Sequence, residues 1–209
     1  MTFAGAKITI GGNDKMSRRV VITGMGVVSP IGTGLQKFWN GLLSGANGVD
    51  VLKAFDVTNY NSKMAAEVKD FNCEEFIDKK DAKRMDRFTQ FGVAAAKMAL
   101  EDSGINLDSI DRDMFGVILG SGIGGIQTFE AQYEVLKAKG PNRVSPLLVP
   151  MMIGNMAAGQ VAIQFGAKGI NFTTVTACAS ANHAIGEAFE IIKRGAQDVM
   201  ISGGSEAAI

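Results

Sequence analysis

In 209 residues the chain has two cysteines, Cys73 and Cys178, and one histidine, His183. Two distant thiols cannot build a disulfide framework and lack the spacing of a zinc site, so a reducing compartment, the cytosol, is expected. A single histidine excludes a histidine-rich metal centre and any mechanism that takes two imidazoles from this chain. An excess of charge of one sign is also missing. The 21 basic residues cancel 21 acidic ones, which argues against a dedicated nucleic-acid binder. No apolar run reaches the ~20 residues of a membrane span. The first 15 residues, MTFAGAKITIGGNDK, lack the basic start, apolar middle and cleavage site of a secretory signal. They precede the first strong strand pattern and are read as a disordered extension or tag, with residues 16–209 as the folded part. No repeat of solenoid period and no low-complexity segment occurs.

What is present is an ordinary globular composition, 46% hydrophobic and 20% charged, at a length suited to one domain or at most two. Glycine is in excess: 26 residues, about 12% of the chain against a usual ~7%. The glycines gather at the ends of apolar runs, as tight strand-to-helix turns in an α/β protein require.

The runs themselves alternate. RRVVITG (18–24) and MFGVILG (114–120) read as buried parallel strands, INFTTVTA (170–177) as a third and DVMISGG (198–204) as a fourth. Helices are expected over 34–43, over 81–102 with Met85, Phe88, Gly92, Ala95 and Ala99 on one face, over 126–137 and over 179–195. Gly104 is the expected stop of the second helix. The methionine-rich stretch 145–165 is helical by period, too apolar for a surface helix, and expected to lie buried between layers. Strands alternating with helices predict a mostly parallel sheet covered on both faces.

Three patterns resemble chemistry that the rest of the sequence does not support. Gly120-Ser-Gly-Ile-Gly-Gly125 matches G-x-G-x-x-G between a strand and a helix, the setting of a dinucleotide fingerprint. It lies mid-chain, however, and Glu134 and Asp111 are poorly spaced for a ribose-binding acid, so a tight turn with close backbone packing is the favoured reading. VVITG, Ser121 and the Tyr133/Lys137 pair imitate a short-chain NAD(P) dehydrogenase, the alternative function. The residues after Thr23-Gly24, MGVVSPIG, lack the glycine spacing that class needs. Cys178 and His183 suggest a dyad, but five helical positions turn through about 500° and leave the side chains about 140° apart. His183 is therefore expected to point away from the thiol, as a packed or capped histidine.

Cys178 has a setting of its own. It ends an apolar strand and opens a helix among small residues, Thr176-Ala-Cys-Ala-Ser-Ala181. A sharp turn that exposes a thiol to the positive end of a helix lowers the thiol's pKa and makes it a nucleophile. On local chemistry alone, an inert buried cysteine and an activated one are both open. Cys73, in the polar loop KDFNCEE, has no such setting.

The region VTACASANHAIGEAFEIIKRGAQDVMISGGSEAAI resembles the nucleophile region of the β-ketoacyl-acyl-carrier-protein synthases, condensing enzymes of the thiolase-fold superfamily. RRVVITGMGVVSPIG, KRMDRFTQFGVAAAKMALEDSG, VILGSGIGGI and SPLLVPMMIGNMAAGQVAI agree with it in order and spacing. GSGIGG and KDFNCEE lean toward the synthase II type, which elongates longer chains. Ala181 departs from the family's usual glycine.

The resemblance implies a layered α-β-α-β-α fold, here incomplete and limited to most of its N-terminal half, and no cofactor or metal. It implies a ping-pong Claisen condensation in fatty-acid elongation, with Cys178 carrying the acyl group and its N–H serving as an oxyanion donor. Ile123 would lie at the base of the acyl pocket. Lys80, Lys83 and Arg84, from the basic segment 78–87, would dock the acidic acyl carrier protein, with Arg143 a weaker candidate beside Asn142. Homodimer formation through this half is implied as well. The family's second half supplies two catalytic histidines and a second oxyanion donor, so this chain alone is expected to acylate Cys178 at most.

Overall fold

The computed structural model describes the backbone of residues 2–5 and the whole of residues 18–209. In chain order the strands are β1 (Thr2–Gly5), β2 (Ile22–Gly26), the short pairs β3 (Val28–Ser29) with β4 (Gly32–Thr33) and β5 (Asp50–Val51) with β6 (Met64–Ala65), then β7 (Phe115–Gly120), β8 (Asn171–Thr174) and β9 (Val199–Gly204). The helices are α1 (Leu35–Leu43), α2 (Lys79–Ala82), α3 (Arg87–Ser103), α4 (Ile126–Lys139), α5 (Leu148–Met152), α6 (Met156–Phe165) and α7 (Ser180–Lys193).

The main sheet has the order β2-β1-β9-β7-β8. β7 pairs in parallel with β8 and β9, as the alternation of strands and helices predicts. β1 is the exception, antiparallel to both β2 and β9. Residues 2–5, expected outside the fold, thus fill a position between two strands whose facing edges both have main-chain groups to pair. The other residues of the expected extension lie outside the described residues.

Period-two alternation lets β7 and β9 bury both faces. Phe115, Val117 and Leu119 of β7, with Val199 and Ile201 of β9, pack against Phe88, Ala96 and Ala99 of α3 and Ala157 and Val161 of α6. On the other face Ile118 and Met200 meet Ala184, Ala188, Ile191 and Ile192 of α7. The result is a three-layer α-β-α unit. β2 lies so close to α3 that a Cβ on Gly26 would stand 1.9 Å from the Ala95 carbonyl oxygen.

Two expectations about helices change. The helix expected over 81–102 is divided. α2 ends before Asp86, whose carboxylate accepts the Phe88 N–H at 3.2 Å and so starts α3 afresh, and Gly104 ends α3 in the left-handed conformation. The stretch 145–165 is two helices rather than one buried helix. Only Ala157, Ala158 and Val161 of α6 are fully buried, while Val149 and Ile163 are exposed, because only one face of α6 meets the sheet and α3.

Candidate active site

The parallel strands β7, β8 and β9 place their C-terminal ends side by side, where an open α/β sheet usually binds ligands. β8 leads into a 3₁₀ turn over Ala177–Ala179 and then α7. Ala177, at φ 51°, is the only non-glycine residue among those described with a positive φ. Non-glycine residues adopt that conformation rarely and at a cost. Cys178 follows it with an exposed side chain. β8 itself is not the buried strand expected: Asn171 and Phe172 are exposed, because β8 stands at the edge of the sheet.

Cys178 opens into a cleft of about 530 Å³ whose walls include Gly120, Ile123, Ala181, Gly204 and Glu206. Glycine is needed where backbones meet. A Cβ on Gly120 would lie 2.3 Å from the Ser180 carbonyl carbon, and one on Gly204 would lie 2.7 Å from the Ala181 Cβ. The methyl group of Ala181 therefore fits because its neighbour is Gly204. Ile123 shares the cleft with Cys178 and is 55% exposed.

The turn after β7 is tightly fixed. The Ser121 hydroxyl oxygen accepts the Gly124 N–H at 3.1 Å, the Met152 carbonyl accepts the Gly125 N–H at 2.8 Å, and Gly124 has φ +72°. The Glu206 carboxylate accepts the N–H groups of Gly122 at 2.6 Å and Ile123 at 3.1 Å. The amides that would cradle a pyrophosphate in the dinucleotide reading are thus taken by an anion, which would repel one. Tyr133 and Lys137 do not line the cleft; the Lys137 ammonium lies 5.4 Å from the Tyr133 ring centre on α4. No group of three or more His, Cys, Asp or Glu among the described residues could hold a metal ion.

His183 does not line the cleft. It is exposed, not packed, and its Nδ1 lies 2.8 Å from the hydroxyl oxygen of Thr176. Cys73 is half-buried in a separate 3₁₀ turn.

Lys80, Lys83 and Arg84 come together with Lys79 and Leu147 around a shallow hollow of about 590 Å³ at α2. The Asp78 carboxylate caps α2 at the Lys80 N–H, which lets these cations project from one short helical stretch. Arg143 does not border this hollow and lies in the turn Pro141–Arg143.

The sequence reading missed Ser180, Glu206 and Asp86. Ser180 acts within its own turn, whereas Glu206 and Asp86 act across the fold: the Asp86 carboxylate also accepts the Thr128 N–H at 3.1 Å and its hydroxyl at 2.6 Å, which ties α3 to α4. The available signal for Glu206 was a carboxylate just beyond the strand-ending pair Gly203-Gly204.

Residues 17–209 match the family model "Beta-ketoacyl synthase, N-terminal domain". The chain is 51% identical over 193 residues to the 3-oxoacyl-[acyl-carrier-protein] synthase 2 of Staphylococcus aureus (strain COL), covering 92% of this chain and 47% of that protein. Among solved structures, the ishigamide ketosynthase/chain length factor aligns with a TM-score of 0.84 at 31% identity over 92% of this chain and 48% of its own. A ketosynthase solved with its type II PKS acyl-carrier protein shares the fold, with a TM-score of 0.78 at 24% identity over 90% of this chain and 50% of its own. The chain spans about half the length of the curated relative it matches. With a family model covering nearly all of it and the cysteine turn at the strand ends, the chain belongs to the β-ketoacyl synthase family and carries its N-terminal domain.

Proposed function

We propose that Cys178 is the acyl-accepting nucleophile of a 3-oxoacyl-acyl-carrier-protein synthase of the elongating type. The observation that carries this reading is the exposed Cys178 thiol on a strained turn, facing a cleft framed by the glycine turn after β7. The Cys178 sulfur adds to the carbonyl carbon of an acyl thioester, the carrier protein's thiolate leaves, and the acyl group stays on Cys178. In the second half of the cycle a malonyl thioester loses carbon dioxide, its enolate carbon attacks the acyl carbonyl, and the Cys178 thiolate departs. The N–H of Cys178, near the N-terminus of α7, is suited to receive the developing oxyanion. Ile123 stands where an acyl chain entering the cleft would meet it. With one histidine in the chain, and that one outside the cleft, this half supplies acyl transfer and no imidazole pair for decarboxylation.

The partner is acyl carrier protein, docked on Lys80, Lys83 and Arg84. In support, these cations share one surface hollow, and a protein of the same fold was solved with its carrier. A homodimer is part of the same reading, supported by the edge position of β8 and by exposed Phe172, Val175 and Phe189 beside it. We place the enzyme in the cytosol, where an exposed free thiol stays reduced. Among the described residues no helix is long and apolar enough to cross a membrane.

The test is covalent labelling. An acyl carrier protein thioester, or a cerulenin-like thiol-directed inhibitor, should label Cys178, and Cys178→Ala should remain unlabelled. Equal labelling of Cys73 and Cys178 overturns the assignment.

A further inference from the structure

The cleft explains where Cys178 points, but not what keeps Ala177 in a conformation that alanine adopts rarely. Three side chains converge on that turn. The Ser180 hydroxyl accepts the Thr176 N–H at 2.8 Å and donates to the Ala177 carbonyl at 2.7 Å, so it clips the turn from both ends. Ser180 is 4% exposed, and its own carbonyl accepts the Thr174 hydroxyl at 2.8 Å, which anchors the clip to the end of β8. His183, one helical turn further along α7, holds the hydroxyl of Thr176 through Nδ1 at 2.8 Å. Thr176 is thereby fixed by its main chain and by its side chain. Ala177, between Thr176 and Cys178, has no freedom to relax.

We infer that Ser180 and His183 are positioning residues that, through Thr176, hold the Cys178 turn in its strained form. Ser180 borders the cleft but is 4% exposed, and its hydroxyl is engaged by the turn rather than turned to a substrate. His183 lies outside the cleft and acts on the thiol only by way of Thr176 and Ala177. Without the clip, Ala177 relaxes toward negative φ, and both the sulfur and the Cys178 N–H swing away from the cleft. This inference rests on Cys178 being the nucleophile, yet it makes its own claim about which groups set the thiol's place.

Cys73 provides an internal control. In the intact protein, the rates of iodoacetamide alkylation at Cys178 and Cys73 are measured on the same molecules by peptide mass spectrometry. Ser180→Ala should lower the Cys178/Cys73 rate ratio about tenfold, since two hydrogen bonds to the turn are lost. His183→Phe should lower it about threefold. His183→Asn, whose amide oxygen can stand near the place of Nδ1, should restore most of the ratio. General unfolding would bare the half-buried Cys73 and lower the ratio by speeding that thiol, so the brace is read only where the Cys178 rate falls while the Cys73 rate is unchanged. If Ser180→Ala does not fold, Thr176→Val still tests the other half of the brace: it removes the hydroxyl that His183 holds and should match His183→Phe, with no further loss in the double variant Thr176→Val with His183→Phe. An unchanged ratio in Ser180→Ala or His183→Phe, additive losses in the double variant, or equal loss in His183→Asn and His183→Phe overturns the inference. Because iodoacetamide requires no carrier protein, the ratio reads the brace independently of whether Cys178 accepts an acyl group.

Discussion

A Cβ placed on Gly120 would stand 2.3 Å from the carbonyl carbon of Ser180, so the end of β7 rests directly on the backbone of the turn that carries Cys178. Gly120→Ala should therefore cost about 1–3 kcal/mol of stability by overpacking and slow the labelling of Cys178 together with it. Gly186 on α7 has open space around its Cβ position, so Gly186→Ala should stabilise the helix by about 0.5–1 kcal/mol and leave labelling unchanged. Denaturant midpoints and labelling rates of the two variants check both statements.

Asp86 is a buried carboxylate, 4% exposed, that caps α3 and receives both the N–H and the hydroxyl of Thr128. Asp86→Ala removes a helix cap and strands buried donors, for an expected loss of about 2–4 kcal/mol. Asp86→Asn keeps one acceptor oxygen and should lose less. Equal losses in chemical denaturation would show that the cap geometry contributes little.

If Ile123 meets the acyl chain, its volume should set which chains label Cys178. Ile123→Phe should reduce labelling by the longest thioesters, by about fourfold for each methylene no longer buried, and Ile123→Ala should favour them. A series of acyl carrier thioesters of increasing length gives the comparison. Parallel changes at every length would place Ile123 outside the chain's path.

Charge reversal at α2 tests carrier docking. The double variant Lys80→Glu with Lys83→Glu should weaken carrier-protein binding about tenfold at low salt, with the difference shrinking as salt is raised. Arg143→Glu should have a smaller effect, since Arg143 does not border the hollow formed by Lys80, Lys83 and Arg84. A calorimetric titration at two ionic strengths separates these outcomes.

A pH-sensitive contact joins β5 to the segment after β6. Lys69 donates to the Asp50 carboxylate at 2.7 Å, and that hydrogen bond holds the Asp50 pKa below the ordinary carboxylate range. A group lowered on folding contributes stability above its unfolded pKa and loses it as pH falls through the folded value. The same bond raises the Lys69 pKa, so its contribution is lost when pH rises through that value. Amide protection around Val51 and Met64, measured relative to intrinsic exchange, should fall as pH drops through the Asp50 value, and Asp50→Asn should remove that loss.

Much of this molecule was legible in its residues, and the exceptions share a cause. The strands at 115–120 and 199–204 stood out because both faces are covered, so their apolar runs are unbroken. Cys178 stood out because small residues surround it at the junction of a strand and a helix. The division of the helix at Asp86 and the separation of α5 from α6 were hidden. An N-cap interrupts a helix with no break in its apolar period, and the exposed apolar residues of α5 and α6 look the same in sequence as buried ones.

By itself, then, the sequence determined the alternation of strands and helices, the family and which thiol to propose as the nucleophile, since these depend on local pattern and residue type. Only the tertiary structure decided that Glu206 holds the glycine turn, that Ser180 and His183 converge on Thr176, and that Arg143 stands apart from Lys80, Lys83 and Arg84. The Glu206 contact depends on where the turn after β7 and the segment after β9 meet beyond the ends of the parallel strands, and the Thr176 contacts depend on how the turn between β8 and α7 folds back on that helix. The 84 residues that separate Gly122 from Glu206 say nothing of their 2.6 Å approach until the parallel strands bring them together.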